Sequence, residues 1–259
     1  MIKYIKTSIL ILLISVIAGC SCNHSVMVNA QQKSPIIVAH RGGAALGMEN
    51  SISCIEKGIA AGADMVEVDI HLTSDNQIVV CHDRTVNRTT DGKGAIKDMT
   101  LAELRKLHLK DADGRPSNET LPTLDEVLEC CKGRCSVLIE IKKKKRLYVG
   151  IEQKAYELVK AHGMLDQVVF QSFDDEVLFK LHGIDPALRL EKLSFFTFFS
   201  LEKYSFVESF NVYHWSVTKR FVRRMHEAGK EVKEWTVDKP SRVTEGVDGV
   251  ITNNPAVFR

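Results

Sequence analysis

The feature that most constrains this chain is a rhythm. Short apolar runs of strand length alternate with segments of helix length over nearly everything after residue 35. Nine runs read as strands, at 36–39, 65–70, 78–81, 137–141, 168–170, 188–193, 210–213, 232–237 and 249–251. Six segments read as helices, at 51–61, 100–107, 123–130, 151–162, 175–182 and 218–228. Asn50 or Ser51, Thr100, Thr123 and Asp174 stand where N-caps are expected, and Gly62, Gly163 and Gly183 where helices should end. Such alternation implies a mostly parallel sheet with helical crossovers. The chain has 259 residues, and a single (β/α)8 barrel takes about 250. Nine strands are one too many for that barrel, so at least one is peripheral or not a strand. Between Asp69 and Ile78 only a Ser74-Asp75-Asn76 turn fits, which predicts a hairpin excursion in place of a helix. The Gly- and Asp-rich stretch 89–123 then reads as an insertion after the third strand.

The front of the chain follows other rules. Residues 1–19 hold no acid; Lys3 and Lys6 precede an apolar run at 9–17, broken only by Ser15. That run falls short of the roughly 20 apolar residues of a membrane span and reads as a secretory signal. It ends in Ile17-Ala18-Gly19-Cys20, which resembles a bacterial lipobox and implies cleavage that leaves Cys20 lipid-modified. The expected organisation is a signal at 1–19, a polar tether at 20–34 and one folded domain at 35–259. The expected location is the cell envelope, outside the cytoplasm, with membrane contact through the lipid anchor; Ser21 leans toward the outer membrane.

The 35 basic residues exceed the 33 acidic ones only by Lys3 and Lys6, which leave with the signal. A balanced mature chain argues against nucleic-acid binding by bulk electrostatics, and no protein partner is inferred. A hydrophobic content of 44% excludes wholesale disorder. Seven cysteines, one of them Cys20, are too few to build a disulfide scaffold. Cys130, Cys131 and Cys135 are close enough for a local disulfide but lack the paired spacing of a zinc site. Cys54 and Cys81 read as small core residues.

In a parallel barrel the chemistry gathers where strands end. The first strand ends in His40-Arg41-Gly42-Gly43 and the second carries Glu67-Val68-Asp69. The third ends in His82-Asp83, the fourth in Glu140-Ile141-Lys142 and the fifth in Gln171-Ser172-Phe173. Glu67 and Asp69 are two apart and share a face, as do Glu140 and Lys142. Glu67, Asp69 and Glu140 crowded together would repel unless a cation sat among them, and an all-oxygen set selects Ca2+ or Mg2+ over zinc. The alternative is a structural network pairing them with Arg41 or Lys142. His40 and His82 titrate near neutrality, as acid/base work requires. Arg41 can grip phosphate oxygens bidentately and Lys142 can add a point charge, a combination suited to a phosphate ester. His71 reads as structural, and Lys143 to Arg146 as a solvated loop face.

These residues resemble a known family. His40-Arg41-Gly42, Met48-Glu49-Asn50-Ser51, Gly62-Ala63-Asp64, Glu67-Val68-Asp69, His82-Asp83 and Arg88-Thr89-Thr90 occur in order. Glu140-Ile141-Lys142, Ser172-Phe173, Trp235-Thr236-Val237-Asp238 and the run from Gly246 to Thr252 follow. From about Ile36 to Pro255 the chain resembles glycerophosphodiester phosphodiesterases. The resemblance implies a TIM barrel with an insertion after the third strand. It implies a divalent cation on Glu67, Asp69 and Glu140, acid/base roles for His40 and His82, and phosphate binding by Arg41 and Lys142. Phe173 and Trp235 match aromatic positions near the mouth. The implied reaction yields glycerol 3-phosphate and an alcohol from a glycerophosphodiester. Two departures stand out: Met48-Glu49-Asn50-Ser51 replaces the usual Pro-Glu-Asn-Thr, and Thr252-Asn253 replaces Thr-Asp. A lysophospholipase D or phospholipase-C-like activity on the same barrel is one alternative. For it, Phe195, Phe196, Phe198, Phe199, Tyr204 and Phe206 would line a lipid-accepting mouth rather than pack a helix onto the barrel. A non-catalytic surface lipoprotein is the other.

Overall fold

The strands close on themselves. In this computed structural model, which describes residues 34–143 and 147–259, β1 (Ile36–Ala39) pairs in parallel with β2 (Met65–Leu72) on one side. The next strand, β3 (Ile78–Val80), runs antiparallel to β2 and is not part of the ring. The ring continues through β4 (Ser136–Ile141), β5 (Val168–Ser172), β6 (Leu190–Ser194), β7 (Ser209–Tyr213), β8 (Glu231–Trp235) and β9 (Gly249–Thr252). β9 returns to β1 in parallel. Eight parallel staves with one appended strand make this a TIM barrel. The signal segment, Cys20 and the tether lie outside the described residues.

The helices are α1 (Ile52–Ala60), α2 (Leu101–Leu104), α3 (Leu124–Cys131), α4 (Ile151–Ala161), α5 (Asp175–Ile184) and α6 (Lys219–Glu227). Ser51, Thr100, Thr123 and Asp174 cap them as expected, each side chain accepting a backbone N–H from the first turn. Gly62 and Gly163 take positive φ just past their helices, whereas Gly183 lies within α5. α2 is shorter than the predicted 100–107. Beyond it Leu107 turns back over Gly92, where even a Cβ would lie 2.6 Å from its methyls.

The hairpin excursion is present, but its third strand is not the barrel stave that the polar residues at its end suggested. β2 rises past the rim to Leu72 and β3 comes back down, pairing Leu72 with Ile78 and Ile70 with Val80. The Cys81 N–H then donates to the Asp69 carbonyl at 2.9 Å, so His82 arrives at the mouth from above. The face of β3 away from the ring is covered by the insertion, whose own apolar cluster joins Val79 and Cys81 to Val86, Ile96, Leu104, Leu109 and Leu121.

Outward-facing strand residues such as Ile37, Val66, Val68 and Ile139 pack beneath the helices in the main core. Inside the ring, Val38, Met65, Leu138, Val169 and Ile251 form an apolar plug. The wall of β5 to β8 is instead polar: Lys233 Nζ donates to Glu191 Oε1 at 2.6 Å, and Asn211 Nδ2 donates to Glu191 Oε2 at 2.7 Å and Gln171 Oε1 at 2.8 Å. Closure and all three apolar clusters use only residues 36–258, so this segment carries a complete core.

Lys143 is not part of a solvated face. Its side chain is buried, with Nζ 2.6 Å from Glu152 Oε1 on α4; Lys144, Lys145 and Arg146 lie outside the described residues. Cys54 and Cys81 are buried as expected, and Cys130, Cys131 and Cys135 are free thiols. Among the described residues no helix is long and apolar enough to cross a membrane.

Candidate active site

The mouth is organised by the turn after β1. His40, Arg41 and Gly42 form one turn of 3-10 helix in which Arg41 adopts φ 51° and Gly42 φ 80°. A non-glycine residue in the left-handed region is strained, and such strain persists where surrounding contacts hold it. Here the Arg41 N–H donates to Glu67 Oε2 at 2.8 Å, and the Arg41 carbonyl accepts from Asn50 N at 2.8 Å. α1 packs against the same turn through Gly58, where an added Cβ would sit 2.3 Å from the Gly42 carbonyl oxygen.

Glu67, Asp69 and Glu140 converge as the strand spacing predicts. All three are buried, and one oxygen from each lies within 4.8 Å of the others. Burial, with the charges of Asp69 and Glu140 beside it, pushes Glu67 well above the usual carboxylate range. Burial also pushes Glu140 up to about 7, against the pull of Lys142. Burial opposes ionisation of Asp69 too, but Lys142, His82 and Arg41 outweigh it and hold that group low. Lys142 Nζ lies 3.0 Å from Asp69 Oδ1 and 2.9 Å from Glu140 Oε1. Asp69 Oδ1 nonetheless makes no properly aligned hydrogen bond despite its burial. Three buried carboxylates that cannot all ionise comfortably are a donor set that fits a hard divalent cation.

The two histidines have different partners. His40 Nδ1 lies 2.7 Å from Asn253 Oδ1. The Asn253 amide is oriented by Asp238, which accepts from its Nδ2 at 2.9 Å and its backbone N–H at 2.8 Å. Asn253 Oδ1 must therefore accept from Nδ1–H of His40, which leaves Nε2 as the basic nitrogen. His82 Nδ1 lies 2.8 Å from a carboxylate, Asp83 Oδ1, and among the described residues neither histidine's Nε2 has a hydrogen-bond partner. Burial lowers the pKa of both; Arg41 adds to this at His40, while Asp69 opposes it at His82.

Beyond Asp83 the charges alternate. Arg88 grips Asp83 at 2.8 and 3.1 Å and Glu49 at 2.7 and 2.8 Å, and Glu49 accepts from Arg41 Nη1 at 3.2 Å. A cavity of about 160 Å³ opens onto His40, Arg41, His82, Glu140 and Lys142. Its far wall is aromatic: Phe173 stacks on Phe195 at 5.0 Å, and both meet Trp235 edge-on at 5.6 and 5.2 Å.

Residues 40–257 match the family described as Glycerophosphoryl diester phosphodiesterase. The chain belongs to this family. Among its relatives, a glycerophosphodiester phosphodiesterase of Caldanaerobacter subterraneus subsp. tengcongensis is 32% identical over 233 residues, covering 85% of this chain and 94% of that one. A Bacillus altitudinis glycerophosphodiester phosphodiesterase is 33% identical over 234 residues, with the same coverage of 85% and 94%. An Oleispira antarctica phosphodiesterase, solved in complex with the product sn-glycerol-3-phosphate, superposes with a TM-score of 0.80 at 25% identity. That match covers 86% of this chain and 95% of that one.

Within this glycerophosphoryl diester phosphodiesterase framework, all seven residues singled out at the strand ends meet at one cavity or its carboxylate cluster. His71 does not reach it. It is fully buried, 3.3 Å from the His82 carbonyl and edge-on to Tyr148, in the structural role expected. The aromatic segment after β6 divides: Phe199, Tyr204 and Phe206 pack inward, while Phe195 joins the cavity wall and Phe196 and Phe198 face solvent.

Residue-type reasoning missed Asn50, read only as a possible cap. Its φ is 63° and its Nδ2 donates to Asp69 Oδ2 at 3.0 Å. It gave no role to Asn253 and Asp238 behind His40, nor to Gln171 at the end of the fifth strand, whose Nε2 reaches Glu67 Oε1 at 3.5 Å. Gln171 could have been found by strand alternation, since it faces the same way as Val169 and stands opposite Glu140 in the β4–β5 register.

Proposed function

We propose that this protein is a divalent-metal-dependent hydrolase of glycerophosphodiesters, releasing glycerol 3-phosphate and an alcohol. The observation that carries this is a pair of imidazoles with anchored Nδ1 atoms and free Nε2 atoms on one cavity beside three buried carboxylates. Glu67, Asp69 and Glu140 would hold the cation. When bound, a divalent ion supplies Lewis-acid stabilisation to phosphoryl oxygens. Arg41 and Lys142 bind the anionic oxygens of the diester and offset the charge that grows on them.

His40, whose pKa burial lowers and whose Nδ1 faces an amide oxygen, takes a proton through Nε2 from the nucleophile as its oxygen bonds to phosphorus; the nucleophile is water, or the neighbouring glycerol hydroxyl, whose cyclic phosphate water then opens. His82, whose Asp83 partner favours its protonated form, gives a proton to the leaving alcohol oxygen as the P–O bond breaks. The aromatic wall of Phe173, Phe195 and Trp235 favours a second reading of substrate range, in which the leaving group carries an acyl chain. Faster turnover of the acylated form of glycerophosphocholine than of glycerophosphocholine itself would support it.

The deciding experiment follows glycerophosphocholine hydrolysis with Ca2+ or Mg2+ and after chelation, beside His40→Ala and His82→Ala. Each histidine variant should lose about 10²- to 10⁴-fold in kcat, and chelation should abolish turnover. Activity indifferent to both substitutions would sink the acid/base assignment. Calorimetric titration of Ca2+ or Mg2+ into Asp69→Asn should show lost binding, whatever the turnover. We also propose lipidation at Cys20 and residence in the cell envelope. Cys20→Ser should then move the protein from the membrane to the soluble fraction.

A further inference from the structure

One side of the mouth differs from the rest of the described surface. Phe196 is 66% exposed, Trp215 75% and Phe198 91%. The segment bearing these rings is held in place. Ser194 Oγ accepts from the Phe196 N–H at 3.1 Å, and Ser216 Oγ donates to the Phe195 carbonyl at 2.7 Å, tying the loop after β6 to the turn that carries Trp215. Arg224 Nη2 donates to the Thr197 carbonyl at 3.0 Å. Phe199 is sunk against Phe210 with ring centres 4.4 Å apart. Large rings presented outward on an anchored loop mark an interaction surface, because water alone would drive them inward.

The adjoining helix supplies the second half of the pattern. Arg220, Arg223 and Arg224 follow the i, i+3, i+4 spacing of one helix face. All three are exposed, and among the described residues none is paired with a carboxylate, in contrast to Lys219 with Glu245. Aromatic side chains settle at the headgroup level of a bilayer, and clustered basic residues beside them favour anionic lipid. A second copy of the chain is a poorer occupant, since a two-fold contact through this patch would bring the two arginine faces together.

We propose that this face docks on an anionic lipid surface, with Phe196, Phe198 and Trp215 entering the headgroup layer and Arg220, Arg223 and Arg224 meeting lipid phosphates. Phe195 links the patch to the cavity through its stack on Phe173, so docking sets the mouth against the bilayer. The proposal does not rest on the catalytic reading and is tested without turnover.

Residues 34–259, which contain the complete core and lack Cys20, are sedimented with phosphatidylglycerol–phosphatidylcholine vesicles and with pure phosphatidylcholine vesicles. Partition should be about tenfold stronger on the anionic vesicles. Phe196→Ser with Phe198→Ser should lower it about tenfold or more, and Arg220→Glu with Arg223→Glu should erase the preference. Far-UV circular dichroism should match the parent for both double variants. No sedimentation with anionic vesicles, equal binding to both vesicle types, or binding that survives both double variants would overturn the proposal. So would a dimer in sedimentation velocity that the Phe196→Ser, Phe198→Ser protein no longer forms.

Discussion

Gly58→Ala is a sharp test of how the fold aims the site. The new methyl would lie 2.3 Å from the Gly42 carbonyl oxygen, 3.1 Å from Ala39 Cβ and 3.2 Å from the Gly42 carbonyl carbon. An ordinary carbon–oxygen contact is about 3.3 Å, so roughly 1 Å of relief is needed. Gly42 is poorly placed to give it: a Cβ there would already be 2.9 Å from Ile55 Cγ1, and Arg41 next to it is tied to Glu67. Either α1 backs away or the turn bearing His40 and Arg41 is dragged with it. Overpacking of this kind costs about 1–3 kcal/mol, while alanine in a helix interior returns about 1 kcal/mol relative to glycine. The net loss is about 0–2 kcal/mol, or a melting temperature lower by up to about 8 °C for a domain of this size. Turnover should suffer more, since about 1 Å of misplacement can cost on the order of 10²-fold. Gly183→Ala is the control: it lies in α5 with nothing within 4 Å of its would-be Cβ, and should gain about 0.4–1 kcal/mol. Thermal unfolding and kcat/KM on glycerophosphocholine read both. A Gly58→Ala protein that gains stability like the control and keeps full turnover would refute the tie between α1 and the turn.

Three further outcomes are expected. Asn253→Asp places a carboxylate against His40 Nδ1, which should raise the His40 pKa by about 1 unit, the low end for such a contact because the new carboxylate also faces that of Asp238, which now accepts from the Asn253 amide. The acid limb of kcat/KM should move to higher pH by that amount, and an unmoved limb would exclude His40 as the base. His71 is lowered to about 4 by burial, so the unfolded chain binds its proton first as pH falls. Its contribution is complete above the unfolded pKa of about 6.5 and is lost on acidification toward 4, about 2 kcal/mol of it between pH 7.5 and 5. Urea unfolding of His71→Gln should show that much less acid sensitivity than the parent; equal slopes would contradict the assignment. Lys233→Met strands the buried Glu191 inside the barrel and should cost about 3–5 kcal/mol in urea, most of it recovered by adding Glu191→Leu. A neutral single variant would mean that the pair is not what satisfies that wall.

Much of the site was legible because barrel chemistry collects where strands stop, and those stops carried His40, Glu67, Asp69 and Glu140 in plain alternation. His82 was found from partly mistaken geometry. The residues at the end of β3 matter, yet β3 runs against β2, and strand direction does not show in a run of Ile78-Val79-Val80. Lys143 was misread because its partner Glu152 lies on the next helix, and a charge run reads as solvent-facing until the packing helix is placed. The polar wall of Gln171, Glu191, Asn211 and Lys233 was missed for a similar reason. They sit on four different strands, and only barrel closure brings Lys233 to Glu191. The departure at Asn253 was visible in the sequence, but not its place: its amide stands against His40 Nδ1 with Asp238 behind it.

The descending hairpin divides the machinery between two mechanical bodies. His40 and the carboxylate cluster ride on ring staves, whose spacing is set by closure, whereas His82 hangs from an appendage whose far face is clothed by the insertion. If His82 acts as proposed above, the insertion would be a tuning element for one proton transfer. Sequence drift in its apolar packing would then reposition His82 relative to different leaving groups while His40 and the three carboxylates stay in register. Substrate range in such a protein could then evolve in 89–123 without a single change inside the barrel.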